Sequence, residues 1–221
     1  MTRLAFEPLT HTYALDDVQV PSVTQVLKAS GLIDFSRIPD PILEAARARG
    51  TAVHRAVHYF NEHDLKVDSF CADFPEYAGY LQSWMLMLET RHVVTVACER
   101  RVASPKHRYA GTIDWIGEID GQGTILDFAT GAPSDVAKNL QLAAYECAAR
   151  EWAAEDDVLA TFFQKWPRVV RMAVRLKKNG ALPKIEPYAD PREFSEFLTL
   201  LTARRIVERY KGSWIEVGHA A

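Results

Sequence analysis

Residues 111–131 read GTIDWIGEIDGQGTILDFATG, and the Asp120-Gly121 pair near their centre decides how the stretch folds. A two-residue type I′ turn needs positive φ at both central positions, which Asp-Gly supplies at little cost, so the flanking runs pair as an antiparallel hairpin. With Ile119 opposite Gln122, counting outward sets Ile116 against Ile125 and Asp114 against Asp127, the two aspartates on one side of the sheet. Directly opposed residues hold their Cβ atoms about 4.5–5.5 Å apart, and like charges there are destabilising. Such a pair asks for a cation, and Mg²⁺ or Mn²⁺ suits it, because these ions take oxygen ligands, keep several waters and bridge protein to phosphate. The alternative is a solvated hairpin whose aspartates splay into water, since a register read from a turn slips easily.

Working outward, VVTVACERRV precedes the hairpin as a third strand, and no helix interrupts the three. SDVAKNLQLAAYECAAREWAA then reads as a helix, RVVRMAVRLKK and PKIEPY as strands, and DPREFSEFLTLLTARRIVERYKG as a closing helix with Asp190 as cap and Pro191 as its first residue. Upstream, TYALDDVQV is a small hairpin around Asp16-Asp17, and PSVTQVLKASG is a short helix capped by Ser22 and ended at Gly31, together a lid or brace. Asp40 to Asn61 is helical, with Gly50 dividing it, and FPEYAGYLQSWMLMLETR is a further helix with an apolar stripe. The fold class is therefore α/β, a central mixed β-sheet flanked by helices. One domain is expected over 1–221: an N-terminal extension over 1–35, a core over 49–178 and a closing helix over 190–211.

With 221 residues, 48% of them hydrophobic, the chain can bury a full core. A net charge of −3 and a pI near 6.2 exclude a globally basic surface, so a polyanion must be held by a local patch. Cys71, Cys98 and Cys147 are widely spaced, which argues against a disulfide framework, a zinc knuckle or an iron–sulfur cluster. A reduced, cytoplasmic setting is expected. No run approaches the roughly 18 apolar residues of a membrane span, and the N-terminus does not read as a signal peptide.

Gln141 and Tyr145 lie four apart on the helix after the hairpin, one turn apart on one face, where they are placed to contact phosphate or nucleotide above a metal. RGTAVHRAVH puts His54 and His58 four apart on a helix upstream. A zinc-binding HxxxH is one reading of that pair, although it lacks the glutamate after the first histidine that a metalloprotease helix carries. A helix-surface or partly buried pair is the bland one.

GTID, LDFxTG and QxxxY in order, with RGTxxH upstream, resemble the RecB-like branch of the PD-(D/E)XK nuclease superfamily, over residues 49–150. VPSVTQVL near the start is similar to phage-type members. The resemblance implies a restriction-endonuclease-like core in which Asp114 and Asp127 bind a catalytic Mg²⁺ or Mn²⁺, with His54 and the backbone carbonyl of Phe128 as further ligands. It also implies that Gln141 and Tyr145 organise the site and the DNA. Glu99 on the preceding strand is a weaker candidate for an acidic metal contact, a surface glutamate being the alternative.

The chain departs from that family at Ala129, where the pattern has a lysine. Strand alternation points this residue to the face of the metal ligands, where an ammonium would orient or deprotonate the attacking water and offset charge developing on phosphorus. An engineered substitution, a natural loss, or transfer of the lysine to another position such as Lys138 would each account for alanine; the intact LDF and TG around it favour the first. The expectation is a chain that binds metal and DNA and cleaves poorly.

RVVRMAVRLKK alternates, with Arg171, Arg175 and Lys177 on a face that is either solvated or open to a phosphate backbone. Arg100, Arg101, Lys106 and Arg108 near a hairpin tip, and Arg47, Arg49 and Arg55 around the histidine helix, would add to the patch. Tyr59, Phe60 and Trp115 are aromatics for core or for stacking on bases. The functional expectation is a metal-dependent DNA exonuclease of phage or bacterial recombination or repair, with DNA ends and a recombination or single-strand-binding protein as partners. Its rivals are a non-catalytic DNA-binding or recombination-accessory protein of the same fold and a histidine-based zinc hydrolase.

Overall fold

The structure, a computed structural model, describes residues 2–36, 38–131 and 135–211, with backbone alone at 135 and 136. It is α/β, with a five-stranded mixed sheet between two sets of helices and a three-stranded sheet at the N-terminus. The chain order is β1 (Leu4–Glu7), β2 (Thr12–Leu15), β3 (Val18–Val20), α1 (Val23–Ala29), α2 (Asp40–Asn61), α3 (Val67–Asp73), α4 (Pro75–Thr90), β4 (Val93–Ser104), β5 (Tyr109–Ile119), β6 (Gln122–Ala129), α5 (Asp135–Trp152), α6 (Asp157–Lys165), β7 (Val170–Arg175), β8 (Lys184–Tyr188) and α7 (Glu193–Tyr210). The large sheet runs β4-β5-β6-β7-β8 in sequence order. Every neighbouring pair in it is antiparallel except β6–β7. A parallel pair needs a long crossover, and α5 and α6 form it, so α5 begins beyond the C-terminal end of β6.

The Asp120-Gly121 turn has φ of 49° and 79°, and Ile119 pairs with Gln122 and Ile116 with Ile125. The register inferred from two residues is thus the observed one. The N-terminal hairpin turns at Asp16-Asp17, both at positive φ. Ser22 caps α1 in a reciprocal capping box with Gln25, satisfying two otherwise unpaired helix-end donors.

Three details differ from expectation. Helix α2 runs unbroken through Gly50, because α-helical φ and ψ cost glycine only entropy and the rest of the helix outweighs one such residue. Helix α7 starts at Glu193, not at Pro191; Asp190 instead accepts the Arg192 backbone N–H at 2.9 Å and closes a turn ahead of the helix. Strand β1 and helices α3 and α6 were not anticipated, being short or only weakly periodic. The expected start of α5 at Ser134 and end of α7 at Gly212 lie outside the described residues.

Each sheet face carries a core. On one face Ile113, Ile116 and Ile125 pack with residues of α1, α5, α6 and α7; on the other Trp115, Leu126, Phe128 and Val174 pack with residues of α2, α3 and α4. Trp115 is fully buried edge-to-face against Trp84, so it is core and not a base-stacking platform. The N-terminal extension braces the domain. Tyr13, Leu15, Val23, Val26 and Leu27 are buried in the first core, and the Ala110 N–H donates to the Pro21 carbonyl at 3.0 Å. No helix of the described residues is long and apolar enough to cross a membrane.

Candidate active site

Strands β4, β5 and β6, helix α2 and helix α5 meet where the β5–β6 ladder ends. The β5–β6 ladder runs to Trp115 and Leu126, and just beyond it the Asp114 carboxylate accepts the Phe128 N–H at 2.8 Å. Asp114 therefore leans onto the backbone of β6 and does not stand simply opposite Asp127. The same carboxylate oxygen, Asp114 Oδ2, lies 3.4 Å from His54 Nδ1, while His54 Nε2 lies 3.1 Å from the Phe128 carbonyl. Four residues named from sequence as metal ligands, His54, Asp114, Asp127 and Phe128, thus converge, three of them through direct mutual contacts.

Asp127, almost fully buried, faces α5. Gln141 donates to it at 2.8 Å and lies 3.3 Å from the Tyr145 hydroxyl, as their shared helix face requires. The ammonium of Lys138 forms an ion pair with its other oxygen. Lys138 is three residues before Gln141, hence on the same face of α5, and that spacing was the available sequence signal for it.

Glu99 stands opposite Asp114 by the pairing on either side of it, Cys98 with Trp115 and Arg100 with Ile113. Its backbone sits at φ 46°, a left-handed conformation that non-glycine residues rarely adopt and that clusters at functional sites. Donor atoms of His54, Glu99 and Asp114 all lie within 4.8 Å of one another. One imidazole and two carboxylates from three elements fit a divalent cation, with Asp127 and the Phe128 carbonyl beside them.

The electrostatics show how densely charge is gathered. Burial disfavours a charged His54, yet Asp114 and, more weakly, Asp127 outweigh it and raise its pKa to about 9. Asp114 is correspondingly held below the usual carboxylate range, against burial, by His54 and Lys138. Asp127 is raised by burial despite Lys138, and Glu99 is pushed up to about 7 by burial and by Asp114. The folded-state value of His54 lies above its ordinary 6.5, so its contribution to stability is complete below that pH and disappears as pH climbs through about 9. Metal-free protein should lose stability across that window in urea melts, and His54→Ala should flatten the change.

The glycine of GTID has a steric role. A Cβ on Gly111 would come within 2.4 Å of the Tyr145 ring, so only glycine lets that tyrosine lie flat beside Asp127 and Gln141. Gly111→Ala is expected to cost about 1–3 kcal/mol, the usual penalty of overpacking, readable as a lower melting temperature. The threonine of GTID bonds the brace, Thr112 Oγ1 lying 2.7 Å from the Tyr13 hydroxyl. RGT and LDFATG also meet, Arg49 Nε donating to Thr130 Oγ1 at 3.3 Å.

A cleft of about 560 Å³ opens over the site, lined by His54, Glu99, Asp114 and Tyr145 and, from the brace, by His11, Tyr13 and Thr24. The expected lid or brace thus forms one wall of the cleft; which of its residues do so was not legible, because nothing local ties residues 11–24 to the hairpin. Arg55 also lines the cleft, and Glu99 and His58 continue into a second depression bearing Arg100 and Arg101. Arg101 stacks 4.7 Å from the Phe6 ring and Arg100 pairs with Asp156 at 2.6 Å. Lys106 and Arg108 lie exposed at the β4–β5 turn, and Lys177 is half-buried.

The expected basic face of β7 is not open. Arg171 is enclosed by Glu146 and Glu193, and Arg175 bonds Glu186 and the Gly131 carbonyl, because α5, α7 and β8 pack across them. The HxxxH pair is divided too, His54 turning to Asp114 and His58 to Glu62 at 3.4 Å. No family model and no curated protein matches this chain, and its site stands on geometry and charge alone.

Proposed function

We propose that this protein is a divalent-metal-dependent deoxyribonuclease of the RecB-like PD-(D/E)XK type, acting on DNA ends, with Lys138 of α5 in the role that a lysine at position 129 would have. The observation that carries the reading is the Lys138 ammonium on Asp127, beside the cluster of His54, Asp114 and Glu99. A natural site with its lysine on the neighbouring helix accounts for Ala129 without an engineered substitution. It also replaces the expectation of poor cleavage with one of turnover.

His54, Asp114, Asp127 and the Phe128 carbonyl would hold Mg²⁺ or Mn²⁺, with Glu99 adjoining. The bound ion supplies a Lewis acid for the scissile phosphate and lowers the pKa of water. Lys138 orients the attacking water and offsets negative charge developing on phosphorus. Gln141 fixes the Asp127 carboxylate, and Tyr145 fixes Gln141. Glu99, whose carboxyl pKa burial and Asp114 raise in the metal-free protein, faces the same cleft. Arg55 on the cleft and Arg101 in the adjoining depression would meet a phosphate backbone; Arg171 and Arg175 take no part.

The preference for ends over internal sites rests on the family resemblance. The test is end-labelled single- and double-stranded DNA incubated with Mg²⁺ or Mn²⁺. Stepwise shortening that EDTA abolishes is the expected result. Tight binding with no shortening under either metal would make the chain a non-catalytic DNA-binding protein of this fold.

A further inference from the structure

A second group of metal-binding side chains lies outside the cleft and shares no residue with it. His107 sits in the β4–β5 turn, and Cys147 and Glu151 lie four apart on one face of α5. Their donor atoms fall within 4.8 Å of one another. Cys147 Sγ is 3.5 Å and His107 Nε2 is 3.7 Å from the same oxygen, Glu151 Oε1. The second distance is too long for a hydrogen bond. Both match the roughly 3.3–3.7 Å edges of a tetrahedron of ligands about 2.0–2.3 Å from a zinc ion.

The surroundings aim the carboxylate. Glu151 Oε2 accepts from the Ser104 hydroxyl at 2.8 Å and the Lys106 N–H at 3.2 Å, which leaves Oε1 turned to the thiol and the imidazole. Ser104 Oγ in turn accepts the His107 N–H at 3.0 Å, and Arg205 of α7 donates to the His107 carbonyl at 2.6 Å, so the turn is anchored from two sides. Such hydrogen bonds behind the ligands are what hold metal sites in shape. The His107 ring packs against Phe194, and Phe194 and Cys147 line a surface cavity of about 280 Å³ that gives a route from solvent.

We propose that His107, Cys147 and Glu151 bind a Zn²⁺-class dication that staples the β4–β5 turn to α5, with a fourth position for water. A thiolate and a carboxylate neutralise the dication in this half-buried place, and the thiol proton leaves to solvent. Thiolate and imidazole favour zinc over the Mg²⁺ or Mn²⁺ that an oxygen-rich site takes. The site is independent of the nuclease reading.

The experiment titrates Zn²⁺ and Co²⁺ into the chelator-stripped full chain in a His54→Ala, Asp114→Asn background, so that the cleft does not contribute. One equivalent of Zn²⁺ should bind and raise the melting temperature. Co²⁺ should give a thiolate-to-metal charge-transfer band that Cys147→Ser abolishes. His107→Ala and Glu151→Gln should weaken binding by more than the ~10–100-fold that loss of an outer partner costs. No stoichiometric Zn²⁺, a cobalt spectrum without the thiolate band, or binding unchanged by Cys147→Ser would overturn the proposal. The spectrum of the unsubstituted triad decides even if Cys147→Ser fails to fold.

Discussion

On the proposed nuclease reading, Lys138→Ala is expected to lower DNA cleavage by roughly 10²–10⁴-fold, the range for loss of one electrostatic or acid–base group, while DNA affinity should change by no more than a few-fold. Lys138 sits on Asp127 with its side chain about one-quarter exposed, and it replaces no part of either core. Its removal should leave the fold intact. Asp127 then loses its strongest charge partner and its pKa rises further, since Lys138 is the chief influence opposing burial there. The companion variant is Ala129→Lys. Residue 129 follows Asp127 by two on β6 and points to the same face, so a lysine placed there in the Lys138→Ala background should recover part of the lost rate. In the parent chain Ala129→Lys should bring little gain, because the site already holds an ammonium. Single-turnover cleavage of end-labelled DNA, with binding measured separately in EDTA, reads all three. A parent that cleaves only after Ala129→Lys would show that Lys138 is an ion-pair partner and no catalyst.

Asp114→Asn is expected to abolish metal-dependent cleavage, by on the order of 10³-fold or more, because the several kcal/mol of charge stabilisation that a metal provides depends on its ligands. Asparagine preserves the shape and can still accept the Phe128 N–H through its carbonyl, so the strand end stays in place. What changes is charge. His54 loses the attraction that most raises its pKa, and its titration, followed by NMR of the imidazole, should move down from about 9. Mn²⁺ affinity by calorimetry should fall with it. A zinc hydrolase built on His54 and His58 would keep its metal in Asp114→Asn, so retained metal and activity would reverse the assignment.

The features that were legible in the sequence share a cause: each depends on neighbours within a few residues. Asp120-Gly121 permits positive φ twice, and from that one fact the β5–β6 register follows, Ile116 on Ile125. Ser22, read as the cap of α1, closes its capping box with Gln25 only three residues on. Gln141 and Tyr145 share a face because helical periodicity brings residues four apart together. The mixed sheet itself follows from strands that alternate and a helix that must cross between two of them. The convergence of His54 with Asp114 was legible only through resemblance, since nothing local relates α2 to β5.

Sequence alone thus determined the hairpin, its register, the layered α/β architecture and the identity of most acidic and histidine candidates, because local φ preferences and apolar periodicity act along the chain. Tertiary structure decided which charges meet. It set Lys138 on Asp127, held Glu99 in a left-handed conformation opposite Asp114, and closed Arg171 and Arg175 under α5, α7 and β8. It also brought His107 to Cys147 and Glu151, which lie about forty residues further along the chain. A cation finds its anion by where the packed elements leave the two side chains. The sheet order and the path of α5 across it settle that, and no local sequence pattern specifies it.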